Sequence, residues 1–107
     1  MEKRSQYLYT IKPTRLAMLT DGGTNEEGTV LSEHYNHLQK LTSEGTVILA
    51  GRTQTIGPET FGIVIFYAQD DDKAEALVAA DPAVAHGVMQ AELFPYRIAL
   101  MAQTEGI

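Results

Sequence analysis

The sequence contains no cysteine and no tryptophan. Without thiols it can build no disulfide, no thiolate zinc site and no cysteine nucleophile. Small secreted domains usually carry disulfides, so their absence points to a reducing compartment, and a cytoplasmic location is expected. Positive charge is also scarce: 8 Lys and Arg stand against 14 Asp and Glu, a formal net charge of −6. The basic residues are scattered, with Lys3 and Arg4 the one adjacent pair. A protein that grips a nucleic-acid backbone needs clustered cations, so no nucleic-acid partner is expected. No apolar stretch approaches membrane-spanning length, and the polar residues 1–5 do not read as a signal peptide, so no membrane partner is expected either. Asp21-Gly22-Gly23 lacks the Lys-Ser/Thr of a phosphate loop, and there is no Gly-x-Ser-x-Gly elbow. No motif calls for a cofactor.

What is present fits a single domain over residues 1–107. With 44% hydrophobic residues a core can form. Residues 7–12 are rich in β-formers and alternate, with Tyr7, Tyr9 and Ile11 on one face. Residues 12–28 read mostly as loop, turning at Asp21-Gly22-Gly23, with 15–19 as a further turn or strand extension. Thr24 and Glu27 have capping-box spacing, although Gly28 weakens a helix there and a start near Ser32 is the alternative. From Val30 the stripe Leu31, His34, Tyr35, Leu38 and Leu41 is helical, and Gly45 suits its end. Residues 46–50 and 61–68 read as two strands of a hairpin with a long polar loop. Asp70, Asp71 and Asp72 open a second helix through residue 80. Asp81-Pro82 breaks it and starts a short helix through about residue 89. Residues 91–102 read as a last strand, and Pro95 within it suggests an edge position or a bulge.

The order is β-α-β-β-α-β, an α+β ferredoxin-like plan. Such a sheet carries its helices on one face and leaves the other in need of cover. The third strand is apolar on both sides, with Phe61, Ile63 and Ile65 on one and Val64 and Phe66 on the other. A homodimer of facing sheets would cover the second side, because large exposed apolar patches are uncommon on monomers.

Three histidines exist: His34, His37 and His86. His34 and His37 are neighbours on the first long helix, His34 nearer the middle of its apolar stripe. They could hold one metal together, but no third ligand is signalled and no metal is expected. Alternatively, a histidine oriented by a carboxylate does acid–base work, since imidazole titrates near neutrality. Asp81 is the candidate carboxylate, because it sits at a chain reversal that can return toward that helix. It is equally a good N-cap before Pro82, and capping alone explains it. Arg52 and Arg15 are candidate contacts for an anionic group, and Tyr9 could line the same cleft. His86 is expected at the surface or at a dimer edge.

The stretch His37-Leu38-Gln39-Lys40-Leu41, then Gly45, then Leu49-Ala50-Gly51, resembles the first signature of the YCII-related (YciI-like) family. Ala80-Asp81-Pro82-Ala83-Val84 with Gly87-Val88 is similar to its second, and Glu92-Leu93-Phe94-Pro95-Tyr96 to its closing strand. The resemblance implies a dimeric α+β barrel of ferredoxin-like subunits and a His–Asp active-site pair, which falls on His37 and Asp81. Two positions depart from the pattern: Arg52 stands where many relatives have Pro, and His34 where Arg is common. The expected function is cofactor-independent proton transfer, isomerisation or elimination on a small organic molecule, with His34, Arg52, Arg15 and Tyr9 contacting it. The alternative is a non-catalytic dimeric module that binds a small ligand.

Overall fold

The computed structural model describes residues 4–102; residues 1–3, including Lys3, and 103–107 lie outside the described part. Along the chain run β1 (Ser5–Pro13), α1 (Met18–Asp21), α2 (Asn25–Ser43) and β2 (Val47–Arg52). These are followed by β3 (Gly62–Ala68), α3 (Asp71–Ala80), α4 (Pro82–Ala85) and β4 (Met89–Tyr96). The β-α-β-β-α-β order holds, with the one-turn helices α1 and α4 added to it. The strands form one antiparallel sheet in the order β2-β3-β1-β4.

Local chemistry explains the boundaries. Thr24 Oγ1 accepts the Glu27 amide at 3.1 Å and Glu27 Oε1 accepts the Thr24 amide at 2.7 Å, so the capping box starts α2 at Asn25 despite Gly28. At the far end Gly45 takes φ +81°, and the Thr46 amide reaches back to the Leu41 carbonyl. This left-handed C-terminal motif suits glycine, which has no Cβ to clash. Gly87 at φ +72° ends α4 in the same way, so that helix stops at Ala85 rather than near residue 89. β4 accordingly begins at Met89, two residues before the expected start, and closes at Tyr96. Residues 97–102 have no regular structure; the Ile98 amide is drawn aside to Gln6 Oε1 at 2.7 Å. Pro95 lies on the β4 edge, where a missing amide costs little. α1 occupies part of the segment that reads as loop, and the Asp21-Gly22-Gly23 turn follows it.

The register sorts the two faces. On one, the row Ala50, Val64, Tyr9, Leu93 runs across all strands, and Val64 and Tyr9 are buried. Leu38 of α2 and Ala74 and Val78 of α3 pack with them. On the other, Leu49, Ile65, Leu8 and Phe94 form an apolar row that no helix covers, with Leu49 and Phe94 each 42% exposed. Among the described residues no helix is long and apolar enough to cross a membrane.

Candidate functional site

The polar centre of the molecule is Asp81. Its side chain is 0% exposed, an unusual place for a carboxylate unless its oxygens are satisfied. Pro82 forces the preceding residue out of helical space, and Asp81 adopts φ −63°, ψ 122° between α3 and α4. That bend turns the side chain inward, and three donors meet it. The Ala83 amide donates to Oδ1 at 2.9 Å, the expected N-cap bond. His34 Nδ1 lies 2.6 Å from the same oxygen. The Tyr9 hydroxyl donates to Oδ2 at 2.6 Å. Capping and site-building, weighed above as alternatives, are both carried by one side chain.

Burial acts to raise the Asp81 pKa, but the bonds from His34 and Tyr9, the His34 charge and the Ala83 amide outweigh it and hold the carboxyl below its ordinary value. Asp81 is therefore an acceptor, so the Nδ1 of His34 carries the proton between them. The imidazole is oriented by that bond, and its second nitrogen, Nε2, is left for other work. Tyr9 is fully buried, its ring edge-on to Phe66 with centroids 5.8 Å apart. Burial first, then the hydrogen bond and charge of Asp81, push its phenol well above the usual value. It stays protonated and acts as a fixed donor.

His34 also lines a cleft of about 1090 Å³ between α2 and the β2 side of the sheet. Its walls include Ile11, Leu31, Leu38 and Val64, with Thr60 and Arg52 as polar members. The apolar body with a few convergent polar groups is the usual form of a small-molecule site, and the volume is at the upper end for one.

The sequence-based site residues are brought together only in part. Asp81 meets His34, where the resemblance set His37. The reason is helix phase: His34 lies on the α2 stripe with Leu38 and faces the sheet, while His37 is turned about 60° away. His37 is half-buried on the flank of α2, and its Nε2 is enclosed without a hydrogen-bond partner. Tyr9, expected as a cleft contact, points into the core and holds Asp81 instead. Arg15 is drawn to carboxylates: its Nη2 is 2.6 Å from Glu27 Oε1, its Nε 3.0 Å from Glu27 Oε2, and its Nη1 3.4 Å from Asp21 Oδ2. It braces the start of α2 and does not line the cleft. Arg52 does line it. His86 is exposed at the end of α4. Sequence reading missed a hydroxyl chain in the β2–β3 loop, in which Thr55 Oγ1 lies 2.8 Å from Thr53 Oγ1 and 2.7 Å from Thr60 Oγ1. Its only trace was three threonines around the Gly57-Pro58 turn. Among the described residues no group of three or more His, Asp or Glu is arranged to hold a metal.

Among curated proteins no relative matches the sequence. Among solved structures, the 5-chloro-2-hydroxyhydroquinone dehydrochlorinase of Burkholderia phenoliruptrix, in complex with 2,5-dihydroxybenzoquinone, is similar with a TM-score of 0.65. The two share 18% identity over 86% of this chain and 93% of that one, which shows a shared fold. An uncharacterized protein of Thermotoga maritima is similar at a TM-score of 0.49 and 14% identity, over 89% and 100% of the chains. A monooxygenase of Streptomyces coelicolor bound to nanaomycin D gives 0.43 and 13%, over 92% and 93%. The family model described as the YCII-related domain matches residues 6–97, and the chain belongs to that family.

Proposed function

We propose that this YCII-related domain is a cofactor-independent enzyme in which His34, oriented by Asp81, moves a proton on a small organic molecule held in the cleft. The observation that carries the reading is the 2.6 Å contact between His34 Nδ1 and a carboxylate that is 0% exposed, with the same imidazole lining the cleft. A structural ion pair gains nothing from facing a cavity; an acid–base group must do so. In this reading Nε2 takes a proton from the substrate. Asp81 stabilises the imidazolium, and Nε2 then returns the proton to another atom of the substrate or to a leaving group. Tyr9 is a positioning residue: it fixes Asp81 and does not reach the substrate. The dehydrochlorinase of the same fold supports elimination as one such reaction, since removal of HCl needs a base for the proton.

We also infer a homodimer joined through the uncovered sheet face. The unbroken row Leu49, Ile65, Leu8 and Phe94 supports it, because such a patch is costly in water. A cytoplasmic setting fits the lack of cysteine.

The test is deuterium exchange. A panel of enolisable carbonyl compounds in heavy water, followed by proton NMR, should show exchange accelerated by the wild-type protein. His34→Gln should remove the acceleration, Asp81→Asn should reduce it about a hundredfold or more through loss of orientation, and His37→Gln should leave it near wild type. Equal loss in His34→Gln and His37→Gln would contradict the assignment. Retention in His34→Gln of ligand binding, with no wild-type exchange on any compound, would favour the non-catalytic module.

A further inference from the structure

The cleft has a charge pattern unlike the rest of the molecule. The chain carries 14 acidic side chains and a net charge of −6, yet among the described residues no carboxylate lines this cleft. Its formally charged lining residue is Arg52. The two candidate arginines differ in what they have left to give. Arg15 is consumed by Glu27 and Asp21. Arg52 makes no ion pair among the described residues; its Nε donates to the Thr53 carbonyl at 3.1 Å and one Nη2 hydrogen to the Thr55 carbonyl at 3.2 Å. Those bonds pin one edge of the guanidinium to the β2–β3 loop. Both Nη1 hydrogens and the second Nη2 hydrogen stay free among the described residues. That end-on edge is the fork that matches a carboxylate with two parallel hydrogen bonds.

Arg52 and His34 both line the cleft, and register fixes where the Arg52 backbone sits on the sheet. Arg52 pairs with Gly62, which pairs with Ile11, in the row next to Ala50, Val64 and Tyr9. It thus lies two strands across and one row along from Tyr9, on the order of 12 Å between backbones by strand spacing. The floor between is apolar, formed by Ile11 and Val64, and Gly62 leaves it low. We infer that the ligand of this cleft is a ring-sized apolar carboxylate, its anionic group held by Arg52 and its apolar body lying toward His34. The inference rests on the functional reading above for the orientation toward His34. The anion preference stands on Arg52 and the lack of lining carboxylates alone. A cleft whose described lining holds one guanidinium fork and no carboxylate offers an anion a fixed positive contact.

The probe is 2-naphthoate, with its uncharged amide as the control, measured by calorimetry and by ligand-observed NMR. The naphthoate should bind about tenfold or more tightly than the amide, the worth of roughly one charge-assisted contact. Arg52→Gln should lower naphthoate affinity by about that factor and leave the amide unchanged, with Arg52→Lys keeping part of the preference. Arg15→Gln should change neither. If exchange is catalysed but acid and amide bind alike, this inference fails and the acid–base reading stands; anion preference without exchange gives the reverse. Equal loss of both ligands in Arg52→Gln, binding of neither, or tighter binding of pentafluorophenolate than of naphthoate would overturn the carboxylate assignment.

Discussion

Two charged clusters in this molecule are built around contacts of the same length. In one, His34 and Asp81 meet at 2.6 Å with side chains 14% and 0% exposed; in the other, Arg15 and Glu27 meet at 2.6 Å with side chains 42% and 14% exposed. Distance alone would rank them equal. Burial separates them. Water screens the Arg15 cluster, so it acts as a brace for the α2 cap box. Asp81 is closed off from solvent, so a lost partner is not readily replaced and the hydrogen bonds hold the imidazole in one tautomer. Chemistry is expected at the Asp81 cluster because its geometry does not depend on solvent.

Substitutions sharpen the contrast, beginning with the largest effect. Asp81→Ala leaves His34 and Tyr9 facing an empty, buried oxygen site, and urea unfolding should show a loss of about 3–5 kcal/mol. A loss below about 1 kcal/mol, the range of surface pairs, would mean that the buried cluster behaves like the exposed one. Tyr9→Phe keeps the ring against Phe66 and removes one bond to the carboxylate, so about 2 kcal/mol should be lost.

The pH dependence divides the clusters again. Asp81 is held below its ordinary pKa, and Glu27 is lowered to about 2 by Arg15 and the Thr24 amide. Acids with depressed folded pKa values add stability above their unfolded values, near 4, and that stability is lost as pH falls through the folded ones. Both clusters therefore weaken in acid. Tyr9 works in the opposite direction. Its phenol is raised, so its contribution is complete below about pH 10 and is lost as pH climbs beyond. Tyr9→Phe should flatten the alkaline limb of the stability profile and leave the Glu27 part of the acid limb. An alkaline limb unchanged in that variant would mean the phenol is not held as the geometry requires.

His37 offers a smaller, opposite effect. Its enclosed, unpartnered Nε2 is a cost, so His37→Leu should be neutral or raise stability by about 1 kcal/mol. A marked loss there would reveal a partner for His37. The smallest change is expected for Arg15→Gln: a slight drop in melting temperature that largely disappears in about 1 M salt, where exposed pairs are screened.

Much of this architecture was legible along the chain. Thr24 and Glu27 announce the start of α2, Gly45 its end, and Asp81-Pro82 the break between α3 and α4. These are local devices, formed by residues a few positions apart. The alternation at Tyr7, Tyr9 and Ile11 also told which face of β1 is apolar. It did not tell that the Tyr9 hydroxyl would find Asp81, 72 positions later. Nor could a family signature decide between two histidines three residues apart, since both spacings are compatible with a helix beside Asp81.

The sequence by itself determined the order of elements, the bend that turns Asp81 inward, the deficit of cations, and the apolar stripes that drive helices onto one sheet face. Tertiary structure alone decided that His34 rather than His37 meets Asp81, and that Arg15 rather than Arg52 is taken up by carboxylates. The physical reason is rotation. Periodicity sets which residues share a face of α2, but packing against the sheet sets how that face is turned. A turn of about 60° exchanges one histidine for the other.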